Sequence, residues 1–391
     1  MRRFAVIPVL FTVGLLSGCS WQRYDKVTWI ETKPRSRKEG WLYNRVKVTA
    51  AVPVGKALRL DHSIPRLFFG PSRAANLDAS GNVPAESSFY VDRHPERMTV
   101  AEIERGAIGA GPEGKLRVER PKTGTTPGFW GIDEKGRKFL VKLDDPRWPE
   151  LSTGADIVGS RIMHALGYRV PVNDIITVTG TGRPEFDGKR ATTSLQISDV
   201  VGHASYNRLR NRREFRALRL VAAWINNVDV SEQNTMMTWD GRRGYLYVID
   251  FNAALGSWSN DVKTPGMGWR HLWNPPADVV DFLTFGRLRP YDEKMPVFSP
   301  AVGRFDANFD PRRWRPTWRN SAFDEMSEED ARWMARKIAG FTDEKIQAVV
   351  RAAKYTRRED EAYIVQTLIR RRDIILQTYD VSPPSSAAAT R

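Results

Sequence analysis

The sequence predicts an α+β chain in two lobes, a small β-rich lobe followed by a mainly helical one. Three observations carry this: short strand patterns broken by turns between 116 and 198, an amphipathic helical pattern soon after 199, and three closing helical segments between 327 and 379. With 391 residues, 41% apolar and 10% aromatic, the chain can bury a sizeable core, which excludes wholesale disorder. There are 61 Lys plus Arg against 46 Asp plus Glu, a formal charge of +15 that favours anionic surfaces or phosphorylated ligands. A single Cys excludes an internal disulfide framework, and five scattered His lack zinc-site spacing. Chemistry therefore falls to Asp, Glu, Asn, Lys or hydroxyls.

The amino terminus reads as an address. Met1-Arg2-Arg3 precedes an apolar run over 4–16, too short to span a bilayer, and small residues lead to Cys19. Leu16-Ser17-Gly18-Cys19 resembles the bacterial lipobox, which implies lipidation of Cys19. The expectation is an exported protein of the bacterial cell envelope, held to the membrane by its lipid anchor on the periplasmic or outer-membrane side. Several acyl chains, at about 0.8 kcal/mol per buried methylene, make such a tether effectively permanent.

Residues 20–115, rich in Pro, Gly, Ser and charge, form an extension over the main domain, with a β-type piece at 45–52 and a helix over 100–105. The small lobe spans 116–198. Strands are expected at 116–119, 129–132 and 138–143, the last two joined by the turn Asp133-Glu134-Lys135-Gly136. A helix follows, with Ser152 or Thr153 as cap, Ala155, Val158, Ile162 and Leu166 at helical spacing, and Gly167 as its stop. His164 within it reads as structural. A hairpin of 174–179 and 190–197 completes the lobe.

The helical lobe spans 199–380. Phe215, Leu218, Ala222 and Ile225 make one stripe of a helix over 212–226. Residues 256–325 read as a long irregular insert. Closing helices are expected at 327–339, 342–355 and 358–379, with Ser327 and Thr342 as caps, before a loose tail at 381–391. The arginines at 208, 210, 212, 213, 216 and 219 read as a solvated helix face, or as a surface for an acidic partner or lipid head groups. No aromatic stacking pattern accompanies them, so nucleic acid is not assigned as a partner.

The order of polar residues carries the chemistry. Lys142 ends the strand Phe139-Leu140-Val141-Lys142, and acids follow at Glu150 and Asp156. Then come Asp229-Val230-Ser231-Glu232-Gln233-Asn234 and Val248-Ile249-Asp250-Phe251-Asn252. Two short strands around the turn 240–244 bring Asn234 and Asp250 to one point.

This arrangement resembles the protein-kinase-like fold, and more closely its divergent bacterial branch of HipA-type and CotH-type kinases. The stretches 154–171, 222–229 and 247–251 are also similar to a group of uncharacterised exported bacterial proteins. The resemblance implies a phosphoryl transfer from a nucleoside triphosphate such as ATP, with Mg²⁺ or Mn²⁺, to a hydroxyl-bearing acceptor. Such chemistry needs phosphates held, charge neutralised and the attacking oxygen aimed. By resemblance Lys142 binds the α- and β-phosphates and Asp156 holds Lys142, with Glu150 as the competing acid. Asp229 orients or deprotonates the acceptor hydroxyl, and Asn234 and Asp250 take the metal. Residues 122–128 form the phosphate-covering loop, through amides and hydroxyls of Thr123, Gly124, Thr125, Thr126 and Gly128.

Two departures matter. Asn227-Val228 replaces the usual His-Arg before the catalytic Asp, and Asn252 stands where Gly is common. Either is compatible with the alternative, a non-catalytic pseudokinase-like binding module at the cell envelope. The literal glycine motif at 109–114 is set aside, because it lies far before Lys142 and Pro112 deletes an amide that a phosphate would need.

Overall fold

The computed structural model describes residues 23–35, 71–272, 281–284, 287–289 and 291–383. The expectations for 1–19 including Cys19, for 45–52 and for the end of the tail lie outside these residues. A helix, α1 (Val100–Arg105), precedes the small lobe, with Thr99 and Glu102 closing a reciprocal cap at its start. Short alternating segments then build a five-stranded antiparallel sheet. Its strands are β1 (Arg117–Pro121), β2 (Gly128–Ile132), β3 (Lys138–Leu143), β4 (Asn173–Thr177) and β5 (Arg190–Leu195), in the order β1-β2-β3-β5-β4. The β2–β3 turn closes because the Asp133 carboxylate accepts from the amides of Lys135 and Arg137 at 3.1 and 2.8 Å.

Period-two alternation divides β3 between two faces. Phe139, Val141 and Leu143 join Leu116, Phe129, Val178 and Ala191 in a small core of the sheet. Lys142 takes the other face, towards the helix α2 (Leu151–Ala165). The expected cap of α2 at Ser152 or Thr153 is corrected. The helix begins two or three residues earlier, with Glu150 as its first flanking residue, and the side chain that meets its free amides is Asp144. Its carboxylate accepts from the amides of Ser152 and Thr153, both at 2.9 Å, and from the Thr153 hydroxyl at 2.6 Å. The turn after β3 swings this acid over the free N–H groups and positive end of the helix. Gly167, at φ +104°, ends α2 as expected.

The helical lobe opens with β6 (Val200–Gly202), α3 (Tyr206–Leu209) and α4 (Arg213–Trp224). The hairpin β7 (Thr235–Trp239) and β8 (Gly244–Val248) follows, with β6 on its edge. The described residues of 256–325 are largely irregular, with a two-stranded piece, β9 (Ser257–Trp258) and β10 (Asp261–Val262), and a 3₁₀ turn at Phe323–Glu325. The closing helices are α5 (Glu328–Ala339), α6 (Asp343–Arg351) and α7 (Arg358–Thr378). Ser327 and Thr342 cap the first two, Ser327 in a reciprocal pair with Asp330. Among the described residues no helix is long and apolar enough to cross a membrane.

The arginine run is the second correction. Arg212, Arg213 and Arg216 are 1%, 6% and 0% exposed, so they form no solvated face. Arg212 pairs with Glu214 at 2.6 Å, and Arg213 and Arg216 share Asp330 at 3.1 and 3.5 Å. Further N–H groups donate to carbonyls of Tyr24, Val27, Ser72 and Gly81, while Arg212 Nη2 has no partner among the described residues. Buried guanidinium groups survive where their charge and most of their N–H groups are met, and here most of those partners come from segments remote in sequence. The basic run is therefore an internal clamp that fastens the amino-terminal segment and α5 to α4. Ile30 pairs with Gly244, and Phe89 and Tyr90 enter the main core beside Tyr168 and Phe215.

Candidate active site

The charged cluster between the lobes is built on three neighbours in register. Lys142 on β3 lies opposite Gly128 on β2 and Thr192 on β5. Gly128 places no side chain beside the lysine, and a Cβ there would sit 2.0 Å from the Val141 carbonyl oxygen, so the strand pairing itself requires glycine. The Lys142 ammonium lies 3.1 Å from Asp156 Oδ2 and 2.9 Å from Asp250 Oδ1. Burial alone works to lower the lysine's pKa, yet the two carboxylates together carry it above its ordinary value.

Asp156 joins the lobes. Its Oδ2 accepts from Lys142 and, at 3.3 Å, from Thr192 Oγ1, while its Oδ1 accepts the Phe251 amide at 2.9 Å. That approach needs Gly159 one turn on, where a Cβ would meet Phe251 Cβ at 2.5 Å. Asp156 is thus the acid that holds Lys142, and the open choice between it and Glu150 closes. Glu150 turns away and accepts the Thr356 amide at 3.0 Å.

The β7–β8 hairpin does what its spacing predicts. Thr235 pairs with Val248, and the Ile249 amide donates to the Asn234 carbonyl at 3.0 Å, so Asn234 and Asp250 leave the same open end. Asn234 Nδ2 donates to the Asp229 carbonyl at 2.6 Å and fixes the loop before it. Asp250 sits at φ +62° and keeps 34% of its side chain exposed. Asp229 is half-buried, and its Oδ1 has no hydrogen-bond partner among the described residues. Burial, and then the charge of Asp250, push its carboxyl up to about 6 against hydrogen bonds from Asn234 and Ser231.

The segment 122–128, expected to cover phosphates, joins β1 to β2. Thr123, Gly124 and Thr125 are exposed at its tip, whereas Thr126 is buried and its hydroxyl accepts from Asn252 Nδ2 at 3.0 Å. Asn252 is thus tied to the loop, a contact that spacing could not reveal. Lys122, the first residue of the expected loop but given no role of its own by the sequence, donates to the carbonyls of Thr126 and Thr123. Its one signal was its place at the head of the Gly-Thr loop. The 109–114 motif packs elsewhere, Gly109 against Val172 and Gly111 against Asp174.

The donors fit a hard divalent ion. They are the Asp250 carboxylate and the Asn234 amide oxygen, both of the type that Mg²⁺ and Mn²⁺ prefer, while the unpartnered Asp229 oxygen beside them is left free for the acceptor. No group of three or more His, Cys, Asp or Glu arranged for a metal stands among the described residues. A site with few protein ligands suits an ion that shares phosphate and water oxygens.

No family model matches the chain, and no curated protein matches it. Among solved structures it is similar to the Helicobacter pylori proinflammatory kinase CtkA, at 9% identity and TM-score 0.41 over 69% of this chain and 97% of that one. It is also similar to the Golgi casein kinase with Mn/ADP bound, at 9% identity and TM-score 0.33 over 74% and 76%. A third is the Shewanella oneidensis toxin–antitoxin protein HipA, at 9% identity and TM-score 0.32 over 92% and 93%. With every TM-score below 0.5, the chemistry rests on the geometry of the cleft. The chain is an α+β protein with an antiparallel sheet before a helical lobe, similar in structure to protein-kinase-like proteins.

Proposed function

We propose that this chain transfers a phosphoryl group from a nucleoside triphosphate to a hydroxyl on an acceptor. The observation that carries the proposal is the meeting of Lys142, Asp156 and Asp250 in one ion-paired cluster beside the unpartnered oxygen of Asp229. Lys142 steadies the phosphates from β3, and Asp156 sets its position. Asn234 and Asp250 would hold Mg²⁺ or Mn²⁺, which neutralises phosphate charge when bound. Asp229 Oδ1 accepts the acceptor's hydroxyl proton as the new O–P bond forms, and the bond from the terminal phosphorus to the diphosphate oxygen breaks. A carboxylate with pKa about 6 is ionised at neutral pH yet more basic than an ordinary Asp. Nucleotide binding by the folded protein should depend on Mn²⁺ or Mg²⁺ and vanish with Asp250→Ala, while Asp229→Ala keeps binding and loses transfer. A folded sample that binds no nucleotide with metal ends the proposal.

One contact favours a second reading. Asp250 Oδ1 is taken by Lys142, so the metal-side carboxylate is already neutralised, as in a non-catalytic pseudokinase-like module. Label transfer from nucleotide to the protein or to an envelope extract separates the two. We also propose export and lipid anchoring through Cys19, on the strength of the charged start, apolar run and lipobox-like residues. Fatty-acid label incorporated by the wild type and lost in Cys19→Ser is the test.

A further inference from the structure

Lys142 cannot by itself draw a triphosphate into the cleft, because two carboxylates already answer its single positive charge. A cation not committed to an acid is needed, and Lys122 is placed to supply it. Its ammonium turns back across its own loop onto the carbonyl oxygens of Thr126 at 3.1 Å and Thr123 at 3.3 Å. Among the described residues it makes no ion pair. Both ends of the loop are pinned, the Lys122 amide to the Gly128 carbonyl at 3.1 Å and the Leu143 amide to the Pro127 carbonyl at 2.9 Å. The loop also touches the opposite lobe through Thr126 and Asn252, two residues after Asp250.

The two lysines share one acidic environment. Burial first, then the charge of Lys142, hold the Lys122 pKa below its ordinary value, while Asp250 and Asp156 act the other way. Lys142, Asp156 and Asp250 answer one another in one ion-paired group whose charges Lys122 also feels, and Lys122 alone of the four rests on neutral carbonyl oxygens, which a phosphate can replace. The loop tip has no bulk to obstruct that exchange, for Gly124 lies beside the ammonium and Thr123 and Thr125 are exposed. The Thr126–Asn252 contact aims the loop at the Asp250 end of the cleft, where Asp229 also feels the Asp250 charge.

Resting on the phosphotransferase reading above, we infer that Lys122 is the residue that positions the terminal phosphate, its ammonium leaving the Thr123 and Thr126 carbonyls for the phosphate oxygens while Asn252 holds the loop closed through Thr126. A charge-assisted hydrogen bond of this type contributes about 10-fold or more to binding.

The test is equilibrium binding of a nonhydrolysable nucleoside triphosphate and of the matching diphosphate, each with Mn²⁺, to the full folded chain. Lys122→Ala should weaken the triphosphate about 10-fold or more and the diphosphate less than about twofold. Lys122→Arg, which keeps the charge, should restore most of the triphosphate affinity. Circular dichroism guards against misfolding, and Lys142→Met, which should weaken both nucleotides, calibrates the assay. Equal triphosphate affinity in wild type and Lys122→Ala overturns the inference and leaves the phosphotransferase reading standing, as does an equal loss for both nucleotides. Wild-type protein that binds neither nucleotide removes both.

Discussion

Replacing Asp229 by Asn should make the fold more stable while abolishing transfer, and the gain should depend on pH in a calculable way. In the unfolded chain this carboxyl ionises near its ordinary 3.8, whereas burial and the Asp250 charge delay ionisation in the folded protein to about 6. As pH rises from 3.8 to 6, the unfolded state has released the proton that the folded state still binds. Stability present at low pH is therefore lost across that window, and the loss levels off above 6. At 1.36 kcal/mol per pH unit, the full cost is on the order of 3 kcal/mol. About 1 kcal/mol of it has appeared by pH 4.5, so about 2 kcal/mol develops between pH 4.5 and 7.5. Asp229→Asn removes the ionisation and keeps a polar group of the same shape. Urea denaturation of wild type and variant at those two pH values reads the difference directly. The variant's advantage should grow by about 2 kcal/mol from pH 4.5 to 7.5. An advantage that is absent, or equal at both pH values, refutes the picture of a destabilised carboxylate held ready as a base.

Lys142→Met should cost about 3–5 kcal/mol in urea denaturation, because Asp156, 1% exposed, loses its counter-ion; Asp156→Leu added to it should restore part of the loss. A single-variant cost below about 1 kcal/mol would show that the cluster is not coupled to folding. Gly128→Ala forces a Cβ against the Val141 carbonyl and should lower stability by about 1–3 kcal/mol in a thermal melt, with nucleotide affinity falling in parallel. Asp144→Ala uncaps α2 and should cost about 1–2 kcal/mol, a value that the same denaturation series checks. Asn252→Gly releases Thr126, and native-state trypsin should then cut after Lys122 several-fold faster; an unchanged rate contradicts the latch.

Much of the site was legible wherever local pattern decides geometry. The alternation through 138–143 assigns Lys142 to a strand, and the β7–β8 hairpin delivers Asn234 and Asp250 to one end because a short turn has few ways to close. Ser327 and Thr342 announce their helices because a cap acts only on the three residues after it. Asp156 could be named but not separated from Glu150, since both reach α2's first turns and only packing turns one inward.

Other features could not be read because their partners lie far along the chain. Arg213 and Arg216 look like a solvated face until Asp330, more than a hundred residues on, is packed against them. Asn252 looks like a lost glycine until Thr126 arrives from the other lobe, and Lys122 is only the first residue of a Gly-Thr loop until its ammonium folds back onto the Thr123 and Thr126 carbonyls. Helical and strand periodicity, turns and caps are short-range steric and hydrogen-bonding preferences, so the chain alone determined them. Which buried charges face one another is settled only when desolvation brings distant segments together, and that the tertiary structure decided.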